Sequence, residues 1–250
     1  MRKLTTVKLL MLFLILVSCS SESIDVNIVE DSNSNDAFTD EVNIVEELSV
    51  EEERLRLFDL AKYILLDESD DEPNTAIRRW SNGTPVRIFL SGDVTIEHEN
   101  VVVDLLNDLK DLNTINLDIE LTTVENDANV EVYIATFNDL MTLRPDFSPN
   151  ADEVSRGITT SFRNSNNELT RARIWINNDT FSISTIKHEI LHSIGLGHSN
   201  DESSVLFTPS QAEELNSDDI FVIEALYGGM LNPGDNEEQI VSVLQDLLSM

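Results

Sequence analysis

The sequence HEILHSIGLGH, residues 188–198, holds three of the four histidines in the chain. Residues four apart on a helix lie on one face, so His188 and His192 can present two imidazoles to one metal ion. Gly195 follows where a helix most easily ends in a left-handed residue, so the chain can reverse and bring His198 to the same ion. The spacing therefore predicts a three-histidine metal site.

The ligand set favours zinc. Three protein ligands plus one water are typical of a catalytic zinc ion. Glu189 stands beside the first ligand without needing to bind the ion, and the motif predicts that it is the general base. Zinc lowers the pKa of a bound water from about 15.7 to about 7, a nearby carboxylate can accept the proton, and the same carboxyl can then protonate a leaving amine. The alternative, a helix end with chance polar residues, is rare at this composition.

Outside this stretch, helix and strand patterns alternate along the chain. Ser49 followed by Glu52 resembles a capping box at the start of a first helix. Periodic apolar residues predict helices over residues 50–66, 97–113 and 182–194, and strands over residues 86–90, 117–124, 129–136, 157–163 and 170–177, the last two forming a hairpin. Residues 138–152 are expected to form a loop, and His98 to be a solvated surface residue.

HEILHSIGLGH fits the pattern HExxHxxGxxH and resembles the zinc signature of the metzincin metallopeptidases. The likeness is greatest to the matrixin branch and runs from about Arg79 to Gly228, through RRW, ANVEVYI, ARIWINND and LNSDDIFVIEALYG. The resemblance implies an α+β fold. This would be a metzincin-like catalytic domain in which a mixed twisted sheet is combined with an active-site helix carrying HExxH and a C-terminal helix. It also implies one catalytic Zn²⁺ ion and peptide-bond hydrolysis.

The resemblance assigns further roles. An extended substrate would lie antiparallel along an edge strand, here Gly157, Ile158, Thr159, Thr160 and Ser161. The alternative is an ordinary hairpin strand. Asp218 and Asp219 match a pair that helps to hold the floor of the site. Leu206 stands where metzincins carry a methionine in a structural turn under the metal, and because the two side chains are close in volume, we expect a modest packing cost and retained zinc binding.

The N-terminus resembles a bacterial lipoprotein signal. A basic start precedes nine apolar residues, Leu9 to Val17, too short to span a bilayer but of the length of a signal-peptide core. The run ends at Cys19, the single cysteine of the chain, in a stretch that resembles a lipobox. We therefore expect lipidation of Cys19, with an ordinary secretory signal as the alternative. Ser20 lacks the acidic signal that retains lipoproteins in an inner membrane, which favours the outer membrane or cell surface.

The composition limits the partners. The chain has 47 acidic and 16 basic residues and a net charge of −31. Such a surface repels phosphate backbones and anionic lipids, so we expect no nucleic-acid partner and membrane attachment only through the lipid anchor on Cys19. The acidity would suit Ca²⁺, but the sequence has no calcium loop of recognisable spacing. The oligomeric state and the identity of the substrate are not determined by the sequence.

The sequence thus divides into segments and supports a leading function. The predicted segments are a lipoprotein signal peptide (1–18), an acidic flexible tether (19–48), a helical spacer or first element of the domain (49–72), a metzincin-like catalytic domain (73–229) and a C-terminal tail with a short amphipathic helix (230–250). The leading hypothesis is a zinc metalloendopeptidase that cleaves extended peptides or proteins at the bacterial cell envelope. The alternatives are a zinc-stabilised, non-catalytic binding or scaffold lipoprotein, which Leu206 favours, and an enzyme that processes its own tether.

Overall fold

The computed structural model describes residues 49–68, 74–209 and 211–249, so the predicted signal peptide and the whole predicted tether, which includes Cys19, lie outside the described residues. No helix in the described part is long and apolar enough to cross a membrane. The helices are α1 (Val50–Leu66), α2 (Ile96–Asp111), α3 (Phe137–Leu143), α4 (Ile183–Ser193), α5 (Ser217–Tyr227) and α6 (Glu237–Ser249). The strands are β1 (Val86–Gly92), β2 (Ile119–Leu121), β3 (Val130–Ala135), β4 (Gly157–Arg163) and β5 (Leu169–Asn177).

The five strands form one mixed sheet in the order β2-β1-β3-β5-β4. The first four run parallel to their neighbours, whereas β4 pairs antiparallel with β5 and ends the sheet. The predicted hairpin is confirmed, and Asn167 in its turn has a positive φ of 60°, a conformation that asparagine tolerates. The sheet is therefore mixed as expected, with an edge strand on the side of the predicted site.

Side chains alternate between the two faces of the sheet, and each face is buried in a different cluster. On one face Ile88, Val132 and Ile174 belong to the main core, which also holds Ile186 and Ile190 of α4. On the other face lies a smaller cluster of Tyr133, Ala135, Leu140, Phe147 and Trp175. The main core packs α4 against the sheet, and this places the histidine stretch beside β4.

The smaller cluster explains one wrong prediction. Residues 138–152 were expected to form a loop, but α3 occupies the first part of this segment, with Thr136 as its N-cap. Leu140 is fully buried, and Phe147 is nearly so. A helix of seven residues is too short to show a helical repeat of apolar positions. Its formation depends on the sheet face that it covers, which the local sequence does not reveal.

The prediction for His98 is also wrong. The residue is 2% exposed and occupies the third position of α2, where its Nδ1 accepts a hydrogen bond from the Thr95 backbone N–H at 3.1 Å. Its ring packs edge-to-face with that of Phe181, with ring centroids 4.5 Å apart. Histidine therefore takes the place that glutamate or glutamine holds in a capping box. The strand predicted over residues 117–124 is shorter than expected and covers Ile119–Leu121.

The two terminal helices pack on the main core. The prediction of α1 is confirmed with its capping box between Ser49 and Glu52, and Ile64 is buried in the core. The tail forms α6, whose buried residue Ile240 belongs to the same cluster. Lys62 of α1 lies 2.8 Å from Glu237 at the start of α6. Both helices contact α5 as well as each other, so α1 and the tail contribute directly to the structure around the site.

Candidate metal centre

The helix α4 presents the first two histidines. Ser182 caps it by accepting a hydrogen bond from the Thr185 N–H at 3.2 Å, and the helix ends just before Gly195, which has a φ of +103°. The left-handed residue predicted at this position is confirmed. A side chain here would also collide with the Arg78 carbonyl, so glycine is required both by its φ and by the close approach of the neighbouring backbone. The chain then turns back towards the helix.

The turn brings the three histidines together. His188, His192 and His198 each offer one ring nitrogen, and these nitrogens all lie within 4.8 Å of one another. The Nε2 atoms of His188 and His192 are 2.9 Å apart, and the His198 ring lies 4.6 Å from that of His192 between centroids. This group could bind a metal ion.

The opposite nitrogen of each ring faces an oxygen. Nδ1 of His188 lies 2.8 Å from the Val205 carbonyl, and Nδ1 of His192 lies 2.8 Å from the Leu196 carbonyl. Because a carbonyl can only accept, these two Nδ1 atoms donate, and Nε2 keeps its lone pair for a ligand. Nδ1 of His198 lies 3.6 Å from Asp67 Oδ1. Such partners orient metal-binding imidazoles and fix their tautomers.

The charge state and spacing of the imidazoles fit zinc. Burial lowers the pKa of His188 to about 4, and burial followed by the neighbouring histidines lowers the pKa of His192 well below its ordinary value. Both rings are therefore neutral at pH 7, which is the form that binds metals. Zinc–nitrogen distances of about 2.0–2.1 Å in a tetrahedral site separate two nitrogens by roughly 3.3 Å. The observed nitrogen separations, from 2.9 Å up to 4.8 Å, bracket this value.

Glu189 is held against the edge strand. Thr159 Oγ1 donates a hydrogen bond to Glu189 Oε2 at 2.7 Å and lies 2.8 Å from the Glu189 carbonyl oxygen. A methyl group at Gly157 would stand 2.8 Å from Glu189 Cγ, so glycine is needed for this close approach. Burial raises the pKa of Glu189 to about 7, against the opposing effect of the Thr159 hydrogen bond. A divalent cation at the histidines would favour the carboxylate and lower this pKa.

Two pockets meet at Glu189. The first has a volume of about 380 Å³ and reaches His192, His198 and Asp67; the second, of about 300 Å³, reaches His188, Thr208 and Pro209. Four of the five predicted edge-strand residues line the first pocket, namely Gly157, Ile158, Thr159 and Ser161. Thr160 does not line it and is paired with Arg173 in the sheet. The buried carboxylate is thus accessible from an open cleft on both sides.

The turn beneath the histidines is tied to α5. Asp219 accepts hydrogen bonds from the Ser204 hydroxyl and, at 3.1 Å, from the Val205 N–H. The Val205 carbonyl in turn faces His188, so Asp219 supports the first histidine through the backbone of Val205. Leu206 is fully buried in this turn. Of the acidic pair expected to hold the floor, Asp218 instead pairs with Arg56 of α1, at 2.9 Å.

Sequence reasoning did not identify Asp67 as part of this site. The residue ends α1 in the left-handed conformation (φ 51°), and its Oδ1 accepts a hydrogen bond from the His198 N–H at 3.1 Å. The acidic run that follows the helix gives no sign of which carboxylate faces the site. The sequence feature that could have identified Asp67 is an aspartate at the end of a helical pattern, because aspartate tolerates the left-handed conformation better than most residues.

Comparison with known proteins assigns the family. The model of the family described as "Protein of unknown function (DUF2927)" matches residues 59–246. The chain belongs to the DUF2927 family. A segment of 63 residues in this DUF2927 chain is also 46% identical to Interstitial collagenase B of Mus musculus, and this match covers 23% of the chain and 13% of that relative. The chain therefore spans only a small part of the collagenase that it matches.

The chain also matches a solved structure, "Structure of myroilysin". The two are 12% identical, and the match covers 69% of the DUF2927 chain and 96% of the other chain with a TM-score of 0.31. The site of the DUF2927 chain is defined by its own geometry, with three convergent imidazoles beside a buried carboxylate at the wall of a cleft.

Proposed function

We propose that the protein is a zinc-dependent endopeptidase that hydrolyses peptide bonds of extended peptide or protein substrates. The observation that carries the proposal is the position of Glu189, beside the three histidines and at the junction of two open pockets. His188, His192 and His198 would hold the zinc ion. When bound there, zinc would lower the pKa of a water molecule and polarise the carbonyl group of the scissile bond.

Glu189 supplies the proton transfer. Its Oε2 is held by Thr159, which leaves Oε1 to accept a proton from the attacking water and to deliver it to the departing amine nitrogen. Burial raises the pKa of Glu189, whereas a bound zinc ion would lower it, so the two effects oppose each other at this carboxyl group. A general acid–base works best when its pKa lies near the working pH.

The edge strand β4 supplies a binding surface for an extended chain. Among the described residues β4 pairs with β5 alone, so the other edge of its backbone can hydrogen-bond a peptide strand. Such addition of a strand binds a substrate through its main chain, while pockets select alternate side chains. The two pockets on either side of Glu189 would receive side chains on both sides of the cleaved bond.

We also propose that the enzyme works at the bacterial cell envelope, attached through a lipid on Cys19 and facing the outer membrane or cell surface. The support for this location is the basic start, the apolar run and the single cysteine of the sequence. Its partners would be peptide or protein substrates and the membrane that holds the anchor, and the acidic composition argues against nucleic acid.

The test is a digest of a peptide library by the full chain in detergent with added zinc, read by mass spectrometry. We expect cleavage by the wild type and a loss of about 10²–10⁴-fold in Glu189→Gln, the range typical of a general base. Glu202→Gln is the matched control, because Glu202 is exposed and does not line either pocket. A chelator should abolish cleavage by the wild type.

The opposite result would be equally informative. If folded, zinc-loaded wild type cleaves no peptide in the library, or if Glu189→Gln cleaves as well as wild type, the proposed activity is wrong. The zinc-stabilised scaffold lipoprotein would then be the better account, in agreement with the leucine at position 206.

A further inference from the structure

We propose that Asp67, the residue that ends α1, is a positioning residue of the metal centre and holds the third ligand, His198, in place. The inference rests on metal binding by the three histidines, as in the proposed function, and is independent of peptidase activity. It makes the N-terminal helix part of the metal centre, although 131 residues separate Asp67 from His198 along the chain.

One carboxylate oxygen of Asp67 faces two atoms of His198. Oδ1 accepts a hydrogen bond from the His198 backbone N–H at 3.1 Å and lies 3.6 Å from Nδ1 of the ring. The first contact fixes the backbone that carries the ligand, and the second places a carboxylate beside Nδ1 of the ring. The other ring nitrogen, Nε2, is then the one available to a metal ion.

The backbone around these atoms is fitted to the contact. The Gly197 N–H donates to the Ile64 carbonyl in the last turn of α1 at 2.9 Å. A methyl group at Gly197 would stand 2.5 Å from Asp67 Oδ1 and 2.7 Å from Asp67 Cα. Glycine at position 197 therefore allows the ligand loop to lie directly on the end of α1.

The other two ligands are carried by a helix. His188 and His192 are spaced by α4 itself, and their Nδ1 atoms each lie 2.8 Å from a backbone carbonyl, those of Val205 and Leu196. His198 lies in a segment outside any helix or strand of the sheet, and its side chain is 33% exposed. A ligand on a loop requires an external partner to limit its orientation, and a carboxylate that faces the far nitrogen of the imidazole also raises its basicity as a ligand.

A simpler account is that Asp67 is only the end of a helix. The residue has a left-handed backbone (φ 51°, ψ 51°), and its N–H caps α1 by donating to the Ile64 carbonyl. On that account a residue that suits this backbone conformation would replace aspartate without an effect on the metal. Asparagine and glycine both tolerate positive φ, so the two accounts can be separated with these substitutions.

The experiment compares Asp67→Gly, Asp67→Asn and Glu68→Gln in the full chain. Glycine removes the carboxylate, whereas asparagine keeps an acceptor oxygen of the same shape without the charge. Glu68 is the matched control, because it lies next in sequence but pairs with Lys62, at 3.3 Å. The readouts are zinc affinity by competition with a chromophoric chelator, the visible spectrum of the Co²⁺-loaded protein, and the melting temperature of the metal-free protein.

We expect zinc affinity to fall by about 10–100-fold in Asp67→Gly, the range found when an outer partner of a ligand is removed. Asp67→Asn should recover part of this loss, and Glu68→Gln should bind as wild type. The Co²⁺ spectrum should change in Asp67→Gly, while the metal-free protein melts as wild type. A change in spectrum without a change in melting is not expected of a residue that only ends a helix.

Several results would overturn the inference. These are an affinity of Asp67→Gly within about twofold of wild type, an unchanged Co²⁺ spectrum, or an equal loss in Glu68→Gln. If Asp67→Gly does not fold, Asp67→Asn decides, since unchanged affinity there contradicts the inference and weaker affinity supports it. Wild type that binds zinc but cleaves no peptide would remove the proposed activity and leave this inference standing.

Discussion

Two buried histidines of this protein, His188 in the metal centre and His98 at the start of α2, differ in the direction of one hydrogen bond. Burial is the main cause that lowers the pKa of both rings. Nδ1 of His188 donates to the Val205 carbonyl, which leaves the lone pair of Nε2 facing His192. Nδ1 of His98 accepts from the Thr95 N–H, so the proton of its neutral ring must sit on Nε2.

Burial alone therefore does not make a histidine a metal ligand. An interaction with the Asp93 backbone also favours the protonated form of the His98 ring, so the fold engages this ring at more than one point. His188 has one nitrogen used by the fold and the other exposed to two further imidazoles. The partner of Nδ1 therefore separates a structural histidine from a ligand, and the following predictions test this comparison.

The largest effect is expected from removing a ligand. His188→Ala should abolish stoichiometric zinc binding and lower peptidase activity on the order of 10³-fold or more, since metal catalysis supplies several kcal/mol of transition-state stabilisation. His98→Gln should keep both properties, because glutamine at this position of a capping box can still accept from the Thr95 N–H. Zinc content by mass spectrometry of the native protein checks both variants. Equal loss of zinc in the two variants would contradict the distinction between His188 as a ligand and His98 as a structural residue.

A smaller effect, on stability, is expected from removing Asp219, which holds the backbone of Val205 in place. Asp219 is fully buried, and Asp219→Ala leaves the Ser204 hydroxyl and the Val205 N–H without their acceptor, which we expect to lower the free energy of unfolding by about 2–4 kcal/mol. Asp218→Ala, which removes the partly exposed pair with Arg56, should cost about 1 kcal/mol or less. Denaturant unfolding of the metal-free proteins measures both, and similar losses would contradict this assignment.

Gly157→Ala tests the contact between β4 and Glu189 of α4. The atoms nearest to the added methyl group would belong to Glu189 and Thr185, and neither residue is a proposed metal ligand. Zinc affinity should therefore stay as in wild type while activity falls by about 10²-fold, as expected for a displacement near 1 Å. Thr160→Ala on the same strand is the control, because Thr160 faces neither pocket. Parallel measurements of zinc affinity and peptide cleavage are required. A matching loss of zinc affinity would show that the strand shapes the metal site itself.

The smallest effect concerns pH and His98. Because burial lowers its pKa below 6.5 in the folded protein, the unfolded chain takes up this proton first as the pH falls below 6.5. The unfolded state then binds more protons, and the contribution of His98 to stability decreases as the pH falls. The free energy of unfolding should therefore fall more from pH 7 to pH 5 in wild type than in His98→Gln. Identical slopes would show that burial of His98 does not affect its titration.

Local patterns were sufficient for much of the molecule. The spacing of His188 and His192, the left-handed Gly195, the capping box of Ser49 and the hairpin of β4 and β5 all follow from interactions between residues close in sequence. The same patterns indicated that Glu189 belongs beside the metal ligands. These features are independent of how the rest of the chain packs, which is why one sequence was enough to predict them.

Other features depend on contacts between distant segments. The helix α3 forms over the outer face of the sheet, His98 is buried by Phe181, and the tail packs on α1. None of these has a local signature, because each requires a surface made by residues far away in the chain. The sequence did not show whether α1 is a spacer or a helix packed on the domain, because an amphipathic pattern does not reveal which surface the apolar face contacts.

The amino-acid sequence by itself determined which residues can bind a metal, because helical spacing and a glycine-permitted turn are local properties of the backbone. The tertiary structure alone decided how these residues are oriented, through the Val205 carbonyl for His188 and the Asp67 carboxylate for His198. The physical reason is that a hydrogen bond between distant segments forms only after both have been packed against the same core. The motif thus determines which residues can bind the ion, and the fold determines how those residues are oriented.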